Sequence, residues 1–148
     1  MLTQKQQRVI DLFTDVCVRD ERILAAFIGG SIATATADEH SDLDLYALIQ
    51  PEAYDQLLSQ HCQFVEKWAS PVFLEHFDGF GFDMLVFILQ DGIQGELGIA
   101  KPDRFLLYGA NILSTGRNRG WRLPEIIVDD TSQNILPLNQ TFCTPLRA

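Results

Sequence analysis

The chain has 148 residues, with 11 Lys and Arg against 20 Asp and Glu, so its formal charge is -9; 47% of its residues are apolar and 21% are charged. This is the composition of a soluble globular domain, long enough to build one core without a disulfide or metal staple. The acidic balance argues against a nucleic-acid surface, which needs a basic patch, and favours a cationic small molecule or a metal ion. Cys17, Cys62 and Cys143 are dispersed and odd in number, which excludes a disulfide framework or a CxxC motif and fits a reducing compartment. The N-terminus lacks the apolar run of a signal peptide, and the longest mostly apolar stretch, residues 23–37, is too short and too interrupted to span a bilayer. The expected location is the cytoplasm, with no membrane contact.

In chain order, Val9, Ile10, Leu12, Phe13, Val16 and Cys17 recur at helical spacing and predict an amphipathic helix over residues 3–19. Residues 22–28 form an apolar run closed by Gly29-Gly30, the pattern of a buried strand, and Ser31 is placed to cap a short helix behind it. Residues 42–49 read as a second strand. Pro51 suits a first helical turn, and Tyr54, Leu57, Leu58, Cys62, Val65 and Trp68 extend that helix to about residue 68. A strand meander follows over residues 72–77, 80–89 and 93–100, with Asp78-Gly79 and Asp91-Gly92 as hairpin turns. Lys101-Pro102-Asp103 opens a short helix through Tyr108, residues 125–128 form a last strand, and residues 129–148 make a polar tail or extended arm. The expectation is an α/β (α+β) architecture, a mixed sheet with helices packed on it, with one domain over residues 1–128.

The stretch that carries chemistry runs from Phe27 to Leu45: a buried strand, Gly29-Gly30-Ser31, ten residues, then Asp42-Leu43-Asp44 at the head of a strand. The glycines allow a sharp turn and close approach of a phosphate, and the Ser31 hydroxyl stands beside free N–H groups of a helix start. Asp42 and Asp44, two apart in a strand, point to one face, while Leu43, Leu45 and Ala47 point to the other. Two hard carboxylates on one face suit Mg²⁺ together with phosphate oxygens.

A third carboxylate is sought in the meander. With a two-residue turn at Asp91-Gly92, Phe87 pairs with Glu96, and the face carrying Glu96 also carries Gln94, Leu85 and Asp83. Glu96 stands on the more polar face between Gly95 and Gly98, which leave room for a ligand; Asp83 is its competitor.

Gly-Gly-Ser, ten residues and Asp-Leu-Asp, with the later run Asp91-Gly-Ile-Gln-Gly-Glu96-Leu-Gly-Ile99, resemble the signature of the nucleotidyltransferase superfamily with the DNA polymerase beta-like fold. The nearest branch is the lincosamide nucleotidyltransferases, with the aminoglycoside adenylyltransferases further off; the resemblance covers residues 5–130. It implies Asp42, Asp44 and Glu96 as metal ligands and catalytic residues. It implies Gly29, Gly30 and Ser31 as the triphosphate cradle and Mg²⁺ as cofactor. The implied reaction transfers a nucleoside monophosphate, AMP from ATP, to a hydroxyl of an antibiotic-like small molecule. Lys101 and Arg104 are further candidates for the triphosphate.

Two departures accompany the resemblance. Thr34 and Ala35 stand where the family has a basic residue and a glycine. Related antibiotic-modifying enzymes also continue into a helical domain that completes the acceptor pocket, so a dimer partner or a further domain is expected to supply it. A homodimer is compatible with the exposed meander edge. The rival readings are a non-catalytic nucleotide- or partner-binding module and a minimal nucleotidyltransferase that modifies a protein. The remaining candidates are weaker. Arg117, Arg119 and Arg122 cluster in a Gly-containing loop, His40 reads as a loop residue, His61 and His76 as structural, and Trp68 and Trp121 as core or edge aromatics.

Overall fold

The computed structural model describes residues 2–33, 36–78, 82–101, 106–107, 113–118 and 127–128; at residue 33 and beyond residue 101 it describes the backbone course alone. Helix α1 spans Gln4–Arg19. Thr3 caps it: its hydroxyl accepts the Gln6 N–H at 3.1 Å, and Gln6 Oε1 accepts the Thr3 N–H at 2.8 Å, so two end donors are satisfied reciprocally. The same Gln6 side chain, 2% exposed, donates to the carbonyls of Asp38 and Ser41, both at 3.1 Å. The start of α1 therefore pins the loop that delivers Asp42. Val9, Ile10, Phe13 and Cys17 form the buried stripe expected from the periodicity.

Strand β1 (Ile23–Ile28) leads into α2 (Gly30–Ala33), then β2 (Leu43–Ile49). Ser31 lies inside α2, which begins at Gly30, and so is its second residue and not its cap. The helix expected over residues 51–68 is broken into a 3-10 turn at Pro51–Ala53, α3 (Tyr54–Ser59) and α4 (His61–Glu66), with Gln60 at the joint. The meander follows as β3 (Pro71–Phe77), β4 (Asp83–Leu89) and β5 (Gln94–Ala100). Strands β6 (Leu106–Leu107), β7 (Leu113–Asn118) and β8 (Ile127–Val128) come last. β6 falls within the helix expected to end at Tyr108 and pairs in parallel with β8, which takes up the last strand expected there. Gly79 of the first hairpin turn, Thr34, Ala35, Arg104, Arg119, Trp121, Arg122 and the tail at 129–148 lie outside the described residues.

The main sheet has the order β3-β4-β5-β2-β1-β7. Every pairing is antiparallel except β2 with β5, a parallel seam that sets Leu43 beside Gly95, Asp44 beside Glu96 and Tyr46 beside Gly98. The mixed α+β sheet is the expected architecture. One face is roofed by the helices. Leu43, Leu45, Ala47 and Ile49 of β2, Leu97 and Ile99 of β5, and Leu85, Phe87 and Leu89 of β4 are buried there with Phe13, Phe64 and Trp68. Trp68 meets Phe13 and Phe87 edge-on at centroid distances of 5.2 and 5.5 Å. Among the described residues no helix is long and apolar enough to cross a membrane.

The β4–β5 hairpin corrects the expected register by one residue. The Gly92 N–H bonds the Leu89 carbonyl at 2.9 Å and the Leu89 N–H bonds the Ile93 carbonyl at 2.8 Å, so the loop holds three residues, with Gly92 at φ +89°. Glu96 therefore faces Val86, and Phe87 faces Gly95. A slip of one residue exchanges the faces. Leu85 and Asp83 belong to the roofed side, while Met84, Val86 and Ile88 share the open side with Gln94 and Glu96.

Candidate active site

Asp44 is the centre of the open face. The Gly29 N–H donates to its backbone carbonyl at 2.8 Å, extending the β1–β2 ladder to the turn. Gly30 follows at φ +62°, a conformation that glycine takes at no steric cost. A Cβ at Gly30 would lie 2.0 Å from Asp44 Oδ2, so the carboxylate occupies the space that a side chain there would need. The Gly-Gly turn and the second aspartate are thus packed against one another, and Ser31 comes next in the chain.

Glu96 stands beside Asp44 across the parallel seam. Asp42 comes just before β2, on a loop stapled by Asp38, whose Oδ1 accepts the His40 N–H at 2.9 Å and the Ser41 hydroxyl at 3.1 Å. Asp42 lines a cavity of about 700 Å³ together with Lys5, His40 and Gln94. Burial first, and then the charges of Glu96 and Asp42, raise the Asp44 carboxyl above its ordinary value. Among the described residues no three His, Cys, Asp or Glu side chains close into a metal-ligating cluster. The chemistry of the donors nevertheless fits a hard dication. They are oxygen-only carboxylates, and the half-buried one is confronted by like charges that a cation would neutralise.

Tyr46 belongs to this site and was not singled out from the sequence. Its ring lies between two glycines: a Cβ at Gly29 would come within 2.9 Å of Cε2, and a Cβ at Gly98 within 2.9 Å of Cδ1. Burial, then Asp44 and Glu96, push its hydroxyl up to about 12, so it stays a neutral phenol. The readable signal was the phenol two residues beyond Asp44, between small residues on both flanking strands. Gly95 and Gly98 were expected to leave room for a ligand, and the structure corrects this: Gly95 packs under the Phe87 ring and Leu43, and Gly98 against Tyr46 and Phe82.

Lys101 is not brought to the carboxylates: its Nζ stands 5.3 Å from the centroid of the Tyr54 ring. Asp83, the competitor of Glu96, is engaged elsewhere, with Oδ1 2.8 Å from His76 Nε2 and Oδ2 hydrogen-bonded by the Tyr54 hydroxyl. His61 Nδ1 lies 2.9 Å from the Leu58 carbonyl, His40 is exposed beside Glu39, and Trp68 is core. Arg117 falls in β7.

Solved structures share this fold. A Cid1 poly(U) polymerase bound to MgATP matches with a TM-score of 0.52 and 14% identity, over 66% of this chain and 33% of its own. A second Cid1 structure, with magnesium and 3′-dATP, matches with a TM-score of 0.50 and 16% identity, over 65% of this chain and 30% of its own. An aminoglycoside 6-adenyltransferase from Bacillus subtilis aligns at 16% identity over 64% of this chain and 34% of its own, with a TM-score of 0.48. The chain thus spans about a third of the length of these proteins. No family model and no curated protein matches the sequence. The likeness to the two Cid1 structures shows a shared fold over about two thirds of this chain. The likenesses do not single out the lincosamide branch. Cid1 is a poly(U) polymerase, so the fold does not exclude nucleic acid, and the exclusion drawn from net charge alone is not supported.

Proposed function

We propose that this chain is a nucleotidyltransferase domain that transfers a nucleoside monophosphate, AMP from ATP, to a hydroxyl of a small, antibiotic-like molecule. The observation that carries this reading is the carboxylate pair Asp44 and Glu96, register partners across the parallel seam, with Asp44 packed against Gly30 and raised by burial and by like charge. Asp44, Glu96 and Asp42 would hold Mg²⁺, which supplies charge neutralisation at the phosphates. Gly29, Gly30 and Ser31 receive the triphosphate end of the nucleotide. The acceptor oxygen forms a bond to the α-phosphorus, the bond from that phosphorus to the pyrophosphate oxygen breaks, and the hydroxyl proton goes to Glu96. The neutral Tyr46 phenol adds no further negative charge beside the carboxylates.

The test has two stages. Calorimetric titration of ATP with Mg²⁺ is expected to show binding that needs the metal and disappears in Asp44→Asn. Pyrophosphate release is then measured over hydroxyl acceptors, with an RNA oligonucleotide as the polyanionic comparison. Binding without release for any acceptor would favour the non-catalytic module, and no binding at all would end the enzyme reading.

A further inference from the structure

Strand order places three functions side by side on the open face. Gly30-Ser31 leaves β1; Asp44 is on β2; Glu96 is on β5; beyond it lie Val86 on β4 and Glu75 on β3, because Glu96 pairs with Val86 and Val86 with Glu75. Around that line are Met84 and Ile88, half-buried, and Phe73 and Phe77, 43% and 40% exposed. In-line displacement at phosphorus needs the entering and leaving oxygens on opposite sides. The apolar strip lies across the carboxylate pair from Gly30-Ser31, which is the side an entering hydroxyl must come from.

We infer that the strip formed by Val86, Met84, Phe73, Glu75 and Phe77 is the bed of the acceptor, and that it selects an alcohol with an apolar body and a positively charged amine. This rests on the reading of Asp44 and Glu96 as the transfer site. The body covers Val86 and Met84 with its hydroxyl at Glu96, and the ammonium ends at Glu75. Phe73, Glu75 and Phe77 follow one another at every second position of β3, so a carboxylate stands between two rings on one face. A carboxylate flanked by aromatic rings suits an ammonium through both charge and cation–π attraction. Glu75 is exposed, and among the described residues no ion pair or hydrogen bond to it competes with a ligand. Two strand spacings separate Glu96 from Glu75, so hydroxyl and ammonium are about 10 Å apart. A second copy fits poorly: antiparallel pairing of two β3 edges that set Phe73 on Phe77 would also set Glu75 on Glu75.

The test uses the methyl resonance of Met84, one of two methionines in the chain, as a reporter inside the strip. Aminooctanol, octanol and aminoethanol are titrated into the whole protein with Mg²⁺ and a non-hydrolysable ATP analogue. Aminooctanol is expected to shift the Met84 signal, octanol to bind about fivefold more weakly, and aminoethanol to leave it in place. Glu75→Gln and Phe77→Ser are each expected to weaken aminooctanol binding about fivefold. Equal binding of octanol and aminooctanol, or no effect of either variant, overturns the proposal. So does a Met84 shift driven by protein concentration alone, or by an RNA oligonucleotide. Transfer to alcohols is measured in parallel. If Met84 responds as expected and no alcohol is ever modified, the strip stands and the transfer reading fails. If alcohols are modified equally well by Glu75→Gln, the transfer reading stands and the strip fails.

Discussion

Two aspartates of the same sheet differ in how their carboxylates are partnered. Asp83, on the roofed side, has its oxygens taken up by His76 and the Tyr54 hydroxyl, which also stands 2.7 Å from the Ile99 carbonyl. Asp44, on the open side, has carboxylates for neighbours and a raised pKa. The first is a partnered group that ties α3 to β3, β4 and β5. The second faces burial and like charge, which a cation or a proton would relieve. Strand geometry makes the division possible: on β2 the residues alternate between the helix-covered core and the open face, so each face can be altered with little effect on the other.

Substitutions should therefore separate activity from stability. Asp44→Asn is expected to lower pyrophosphate release on the order of a thousandfold. The same change removes a half-buried charge facing like charges, so the metal-free protein should melt slightly higher, by a fraction of about 1 kcal/mol after solvent screening. Addition of Mg²⁺ should raise the melting temperature of the parent and not of the variant. A lower melting temperature of metal-free Asp44→Asn would contradict the repulsion argument. On the roofed side, Trp68→Ala should cost about 3–5 kcal/mol in urea denaturation, because it empties the space between Phe13 and Phe87.

Gly30→Ala joins the two faces. It forces an alanine into a left-handed conformation and a methyl into the Asp44 carboxylate, so about 1–2 kcal/mol of stability and the nucleotide affinity should fall together. Thr3→Ala should cost about 1 kcal/mol. Smallest is an acid effect at the end of α1. Burial works to raise the Asp20 carboxyl, but hydrogen bonds and charge from Arg22 outweigh it and hold it below its ordinary value. Stability from this pair is present above the unfolded pKa of about 4 and is lost as the pH falls through the folded value, so Asp20→Asn should flatten the acid limb of a pH–stability curve.

Much of this was legible in the sequence where local pattern and tertiary role agree. The stripe on α1, the apolar runs of β1 and β2 and the Gly-Gly turn follow from periodicity and from the one residue that tolerates a left-handed backbone. The polar side on which Glu96 falls was legible, but the β4 residues that share it were not. Its strand was legible, but the pairing turned on whether Asp91-Gly92 closes a two- or a three-residue loop, and both place Gly at positive φ. Strand β7 was invisible because Leu113–Asn118 holds little apolar surface and gains its order by pairing with β1. The break at Gln60 and the β6–β8 pairing have no local punctuation that announces them. Lys101 was given to the triphosphate by proximity in sequence, and the end of β5 turns it towards Tyr54 instead.

The parallel seam between β2 and β5 has a kinetic consequence. β1 with β2, and β3 with β4 and β5, are antiparallel neighbours that close short loops, whereas joining β2 to β5 closes the long chain segment between them. Asp44 and Glu96 lie on opposite sides of that closure. A partly folded molecule can hold both antiparallel ribbons and still own no carboxylate pair, so the appearance of divalent-cation affinity during refolding would time the docking of the two halves.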